Sequence, residues 1–88
     1  MEEFLKKLDI DAKPYRGTGG VFIVDIADSD EYGKIYSKLD KSKEVEEVGD
    51  SSQITYETAS IQFESEQYMI TLLADFDEDV YKMTIKEI

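Results

Sequence analysis

The amino-acid sequence predicts an α+β domain: a short N-terminal helix, a central strand, one amphipathic helix and then an antiparallel β-meander, with the helices packed on one face of the sheet. Three observations point there. Apolar residues recur at helical spacing in two places, at Phe4, Leu5 and Leu8 and again at Tyr32, Ile35, Tyr36 and Leu39. Between them, residues 21–27 (VFIVDIA) form a nearly continuous β-branched and aromatic run. From Val45 onward the apolar period falls to two.

Taken in order, EEFLKKL sets Glu2 four residues before Lys6 and Glu3 four before Lys7, a spacing that supports a short helix. DIDAKPYRGTGG then collects Pro14, Gly17, Gly19 and Gly20, which favour an irregular loop. Because VFIVDIA does not alternate, it predicts an interior strand covered on both faces. Asp25 is its one polar residue, and the cost of an unpaired carboxylate there places it near the sheet edge or beside a Lys, Arg or Tyr. DSDEYGKIYSKLDK opens with Asp28 and Glu31 in capping-box spacing and continues as the second helix, in which Gly33 costs about 1 kcal/mol relative to Ala.

In the meander, EVEEV predicts a short edge strand, QITYET alternates through Ile54 and Tyr56, and SIQFES alternates through Ile61 and Phe63. The apolar parity switches at Thr58 and Ala59. With no Gly, Asn or Asp to make a two-residue turn, the switch predicts a bulge within one long strand, the alternative being a tight turn between two short ones. QYMITLLA and VYKMTIKEI are the last two strands, and DFDED is the hairpin connection between them.

The 88 residues accommodate one domain, 1–88, near the size at which a single core is only marginally sufficient. Six Tyr and four Phe give that core bulk. The absence of Cys leaves no disulfide framework, thiolate metal site or cysteine nucleophile, and agrees with a reducing cytoplasm. MEEFLKKL lacks the basic start and apolar stretch of a signal peptide, and no apolar run approaches the roughly 20 residues that span a bilayer. A soluble chain without a membrane partner is expected.

The formal charge is -11, and its distribution is uneven. Residues 1–43 hold nine acids and eight bases, residues 44–81 hold eleven acids and no base, and residues 82–88 hold one acid and two bases. Acidity that served solubility alone would be spread among bases, so this cation-free stretch calls for another explanation. Net charge of this sign and size argues against direct binding of nucleic acid.

Several segments resemble functional motifs in part. Asp75, Asp77 and Asp79 alternate as in the start of a calcium loop, but Val80 and Lys86 occupy the positions where an EF-hand needs Gly and Glu, and the flanks read as strands. RGTGG has the glycines of a phosphate cradle, yet it precedes a strand and contains no lysine. In DIADSDE, helix capping accounts for Asp28 and Glu31. Without His or Cys, acid–base catalysis would fall to carboxylates, Lys or Tyr, and a two-carboxylate hydrolase needs a cleft that so small a domain can scarcely enclose. No enzymatic activity, metal or cofactor is expected.

The remaining feature is the acidic meander itself. Eleven carboxylates match the charge of roughly 19 Å of duplex DNA, at one charge per about 1.7 Å. In size, acidity, helix-plus-antiparallel-sheet pattern and absence of Cys, the chain resembles the small acidic inhibitors of bacteriophages, namely the uracil-DNA glycosylase inhibitor and those anti-CRISPR proteins that occupy a nuclease's DNA-binding surface. The resemblance rests on no shared motif and carries over no individual residue. It implies a non-enzymatic inhibitor acting in the cytoplasm of a bacterial or phage-infected cell on a basic nucleic-acid-binding protein or nuclease. The residues expected to meet that partner are Glu44, Glu46, Glu47, Asp50, Glu57, Glu64, Asp75, Phe76, Asp77, Glu78 and Asp79, with Tyr56 or Phe76 as apolar anchors. An immunity protein or antitoxin that neutralises a basic nuclease toxin would look the same in sequence, and neighbouring genes would separate the two. A small acidic structural domain, as a homodimer through an exposed strand edge, is the remaining alternative.

Overall fold

Alternating burial along the three long strands that end the chain decides which side of the sheet is dry. The computed structural model describes residues 1–49 and 52–88. Two helices, α1 (Glu2–Lys7) and α2 (Ser29–Lys41), accompany seven strands: β1 (Tyr15–Arg16), β2 (Val21–Ile26), β3 (Glu46–Glu47), β4 (Gln53–Ile54), β5 (Thr58–Glu64), β6 (Tyr68–Asp75) and β7 (Val80–Glu87). All pairings are antiparallel, in the order β1-β2-β7-β6-β5-β3, with β4 also paired to β5. The α+β architecture is the one the sequence predicts.

Register sorts the side chains into rows. Phe63, Ile70, Ile85 and Phe22 lie opposite one another across β5, β6, β7 and β2, as do Ile61, Leu72, Met83 and Val24, and then Ala59, Ala74, Tyr81 and Ile26. Every member but the half-buried Phe22 is buried. Facing pairs of this kind are the unit of sheet stabilisation, and full burial of each large side chain contributes about 1.5–3 kcal/mol.

Both helices cover this face. Asp28 caps α2 as its spacing predicts, its Oδ1 accepting from the Glu31 N–H at 2.9 Å. From the same helix the Tyr32 hydroxyl donates to the Leu72 carbonyl, while the Tyr32 and Tyr36 rings meet Tyr81 and Phe63 at 5.6 and 5.9 Å. Leu5 and Leu8 close the other end of the core, with Phe4 against Tyr68 at 4.5 Å. The Glu2–Lys6 and Glu3–Lys7 pairs do not form: among the described residues the one ion pair is Lys34–Glu31, at 3.6 Å. Exposed pairs gain little in water, and α1 is held by its apolar residues instead.

Two expectations are corrected. β2 is interior to the sheet but covered on one face only, so Val21 and Ile23 remain half-exposed on the open side. Its β-branched run reflects strand preference without double cover. Nor is there a bulge at Thr58: β4 and β5 form a hairpin, with Ile54 opposite Ala59. The missing turn residue is supplied by Thr55, whose Oγ1 accepts from the N–H groups of Glu57 and Thr58 at 3.3 and 3.0 Å. A Thr hydroxyl thus does the work that Asn or Asp does in other turns. Asp25 meets its expectation, accepting a hydrogen bond from the Tyr15 hydroxyl at 3.1 Å on the strand next to the edge.

Gly33 is exposed in α2, and a Cβ added there would have nothing within 4 Å. Gly33→Ala should therefore raise the unfolding free energy by about 1 kcal/mol, read from the urea midpoint at unchanged slope.

Candidate functional site

The acids of the cation-free stretch occupy positions where this fold has no dry face. β3, the strand ends and the connecting loops all project into solvent. Of the eleven, Asp50 lies outside the described residues. The other ten form two groups at opposite ends of β5. At one end, Glu44, Glu46, Glu47, Glu64 and Glu66 line an open groove of about 790 Å³ together with Lys43. At the other end, Glu57 in the β4–β5 turn joins Asp75 at the end of β6 and Asp77, Glu78 and Asp79 in the β6–β7 connection. With seven residues in β5, the groups stand roughly 20 Å apart. Gln53, Ile54, Ser60 and Gln62, all uncharged, lie between them.

Apart from the half-buried Asp75, all ten carboxylates are exposed, and none belongs to the ion pair found among the described residues. None of the ten is thus ion-paired to one of the chain's own cations, although Lys43 lines the groove of the first group and Lys82 lies beside Asp75 and Glu78. The arrangement even sets like charges together, because the β3–β5 register places Glu46 directly opposite Glu64. Such an opposition is destabilising, as opposite charges there would be stabilising.

Two hydrogen bonds position members of the set. Glu47 Oε1 accepts from the Tyr36 hydroxyl at 3.2 Å, which ties β3 to α2. This hydrogen bond, followed by partial burial, raises the Tyr36 pKa and keeps the hydroxyl a donor. Asp75 Oδ1 accepts from the Glu78 N–H at 3.1 Å and closes the β6–β7 loop, where Asp79 adopts a left-handed backbone at φ 55°. Burial, followed by the neighbouring Asp79 carboxylate, raises the Tyr81 pKa in the same direction.

Phe76 does two things at once. Its ring packs edge-on against Tyr81 at 6.0 Å, while 45% of its surface stays exposed. Its N–H donates to the Glu57 carbonyl at 2.8 Å and extends the β5–β6 ladder one step beyond the Thr58–Asp75 pair, which holds the β4–β5 turn beside the β6–β7 loop. Sequence reasoning did not place Glu57 beside residues 75–79, because that neighbourhood follows from the β5–β6 register, which sets Thr58 opposite Asp75, nor did it find Val80 as a further exposed apolar side chain. Ile54, expected to alternate into the sheet, is 73% exposed. Near the glycine loop, the Arg16 guanidinium lies over the Phe22 ring at 5.5 Å.

Among the described residues, no group of three or more carboxylates converges in a way that could hold a metal ion, and no helix is long and apolar enough to cross a membrane. Compared with known protein families, curated proteins and solved structures, the chain matches none.

Replacing one member of the opposed glutamate pair should relieve the repulsion. Glu46→Lys is expected to raise the unfolding free energy by about 0.5 kcal/mol in urea titrations at low salt; a loss of stability would show that the pair is not repulsive.

Proposed function

We propose that the chain is a non-enzymatic binding protein that blocks a basic nucleic-acid-binding protein or nuclease by offering carboxylates where that partner otherwise binds phosphates. The observation that supports this reading is the set of ten described carboxylates, none neutralised by an ion pair, at the two ends of β5. Their spread of roughly 20 Å is close to the roughly 19 Å of duplex whose charge eleven carboxylates match. A surface of this kind steers a cationic partner and accelerates association, and both effects weaken as salt screens them. Direct nucleic-acid contact is disfavoured by the same charge. The partner's own phosphate-binding groove is the complementary surface, and occupying it needs no chemistry from this chain.

Affinity capture tests the proposal. Immobilised chain exposed to a bacterial lysate at about 50 mM salt should retain a basic nucleic-acid-binding protein that is released by raised salt and also by added duplex DNA. An empty lane, or retention indifferent to both salt and DNA, would contradict the proposal.

A further inference from the structure

We infer that the paired hairpin ends, residues 54–57 and 75–80, are the part of the surface that seats in an apolar cleft of a cationic protein partner, with Tyr56 as the inserted anchor and Phe76 beside it. The class of partner rests on the function proposed above, whereas the docking end is assigned from exposed apolar surface. Among the described residues six large apolar side chains are exposed, and four of them, Ile54, Tyr56, Phe76 and Val80, lie on these two ends. Tyr56 is 101% exposed and so gains nothing from burial in this fold. Nor does its turn depend on it, since the Thr55 hydroxyl makes the closing hydrogen bonds. Exposed aromatics ringed by polar residues are a common form of binding anchor.

The support under the anchor is already ordered. Thr55 holds one turn, Asp75 holds the other, and the Phe76 N–H joins them through the Glu57 carbonyl. Phe76 in turn rests on Tyr81, and Tyr81 on Tyr32 in the core. Less ordering entropy is therefore lost on binding than a mobile loop would lose. The opposite end of β5 differs: its groove is lined by glutamates and Lys43, and no large apolar side chain among the described residues is exposed there.

Charge selects the occupant. Glu57, Asp75, Asp77, Glu78 and Asp79 flank the patch, five acids against Lys82, the one base lining the pocket beside Asp75, Glu78 and Val80. Two copies meeting end to end would oppose these carboxylates across a desolvated contact, which Coulomb repulsion disfavours. A cationic surface with an apolar cleft meets both requirements.

The test uses the isotope-labelled full chain and two synthetic probes of equal charge, an oligolysine and a peptide alternating Lys with Leu. The Lys–Leu peptide should bind about tenfold or more tighter, the scale of a lost aromatic anchor, and should shift the NMR signals of residues 54–57 and 75–80. Tyr56→Ser, at a fully exposed position, should abolish the preference and leave the urea midpoint unchanged. Equal binding of the two probes, shifts centred on residues 44–49 and 64–66, or a concentration-dependent dimer that Tyr56→Ser dissolves would each overturn the inference. Its failure is distinct from failure of the proposed function. Preference for the Lys–Leu peptide without a DNA-displaceable partner would retain the docking end and remove the mimicry; a DNA-displaceable partner that binds Tyr56→Ser as tightly as the parent chain would do the reverse.

Discussion

Everything in this small domain depends on one sheet being dry on one face only. Three cross-strand rows, centred on Phe63–Ile70–Ile85, Ile61–Leu72–Met83 and Ala59–Ala74–Tyr81, place the apolar residues of β5, β6 and β7 under the two helices. A shift of one residue in any pairing would turn those rows outward, so register is fixed by burial rather than by the loops. The core has little to spare in a chain of 88 residues, and seven of its large side chains, Phe63 among them, are almost completely inaccessible.

That one-sided core decides where charge can go. Carboxylates cannot enter the helix-covered face, so those of residues 44–81 are displaced to the strand ends, to β3 and to the loops. The same logic explains how the sheet edges are managed. β5 would present a long bare edge, but β3 and β4 pair with it at its two ends, and both are only two residues long. At the opposite edge β1 is equally short, and Asp25, bonded to Tyr15, places a charge where another strand would otherwise add. Short, charged edges keep the sheet from extending itself, and they also concentrate negative charge along the β5 side.

How much of this was legible in sequence depended on how local the cause was. The second helix could be read from Asp28, Glu31 and the Tyr32–Leu39 stripe because capping and helical spacing act within a few residues. The last two strands were equally clear, since both are long runs rich in β-branched, aromatic and other apolar residues on either side of the polar DFDED. The turn at residues 55–58 was not, because the hydroxyl of Thr55 took a role usually signalled by Gly, Asn or Asp. β1 escaped notice because two residues carry no period. The double cover expected for β2 could not be tested in sequence, as a β-branched run looks the same whether one face or both are packed. For the candidate site, its acidic residues were legible by counting charges; their division into two groups was not, since it depends on the β3–β5 and β5–β6 registers.

An unneutralised surface of this kind should work against its own fold: carboxylates set side by side without cations repel one another, and the helix-covered core must offset that repulsion. Salt measures the effect directly, because raising ionic strength from about 0.01 M to about 0.15 M shortens the Debye length from roughly 30 Å to roughly 8 Å. The decisive measurement is the urea unfolding midpoint of the isolated chain across that range of sodium chloride. A midpoint that rises steadily with salt is the result that self-repulsion requires; one that stays flat or falls would mean that the acids are already neutralised within the fold and are not held for a cationic partner.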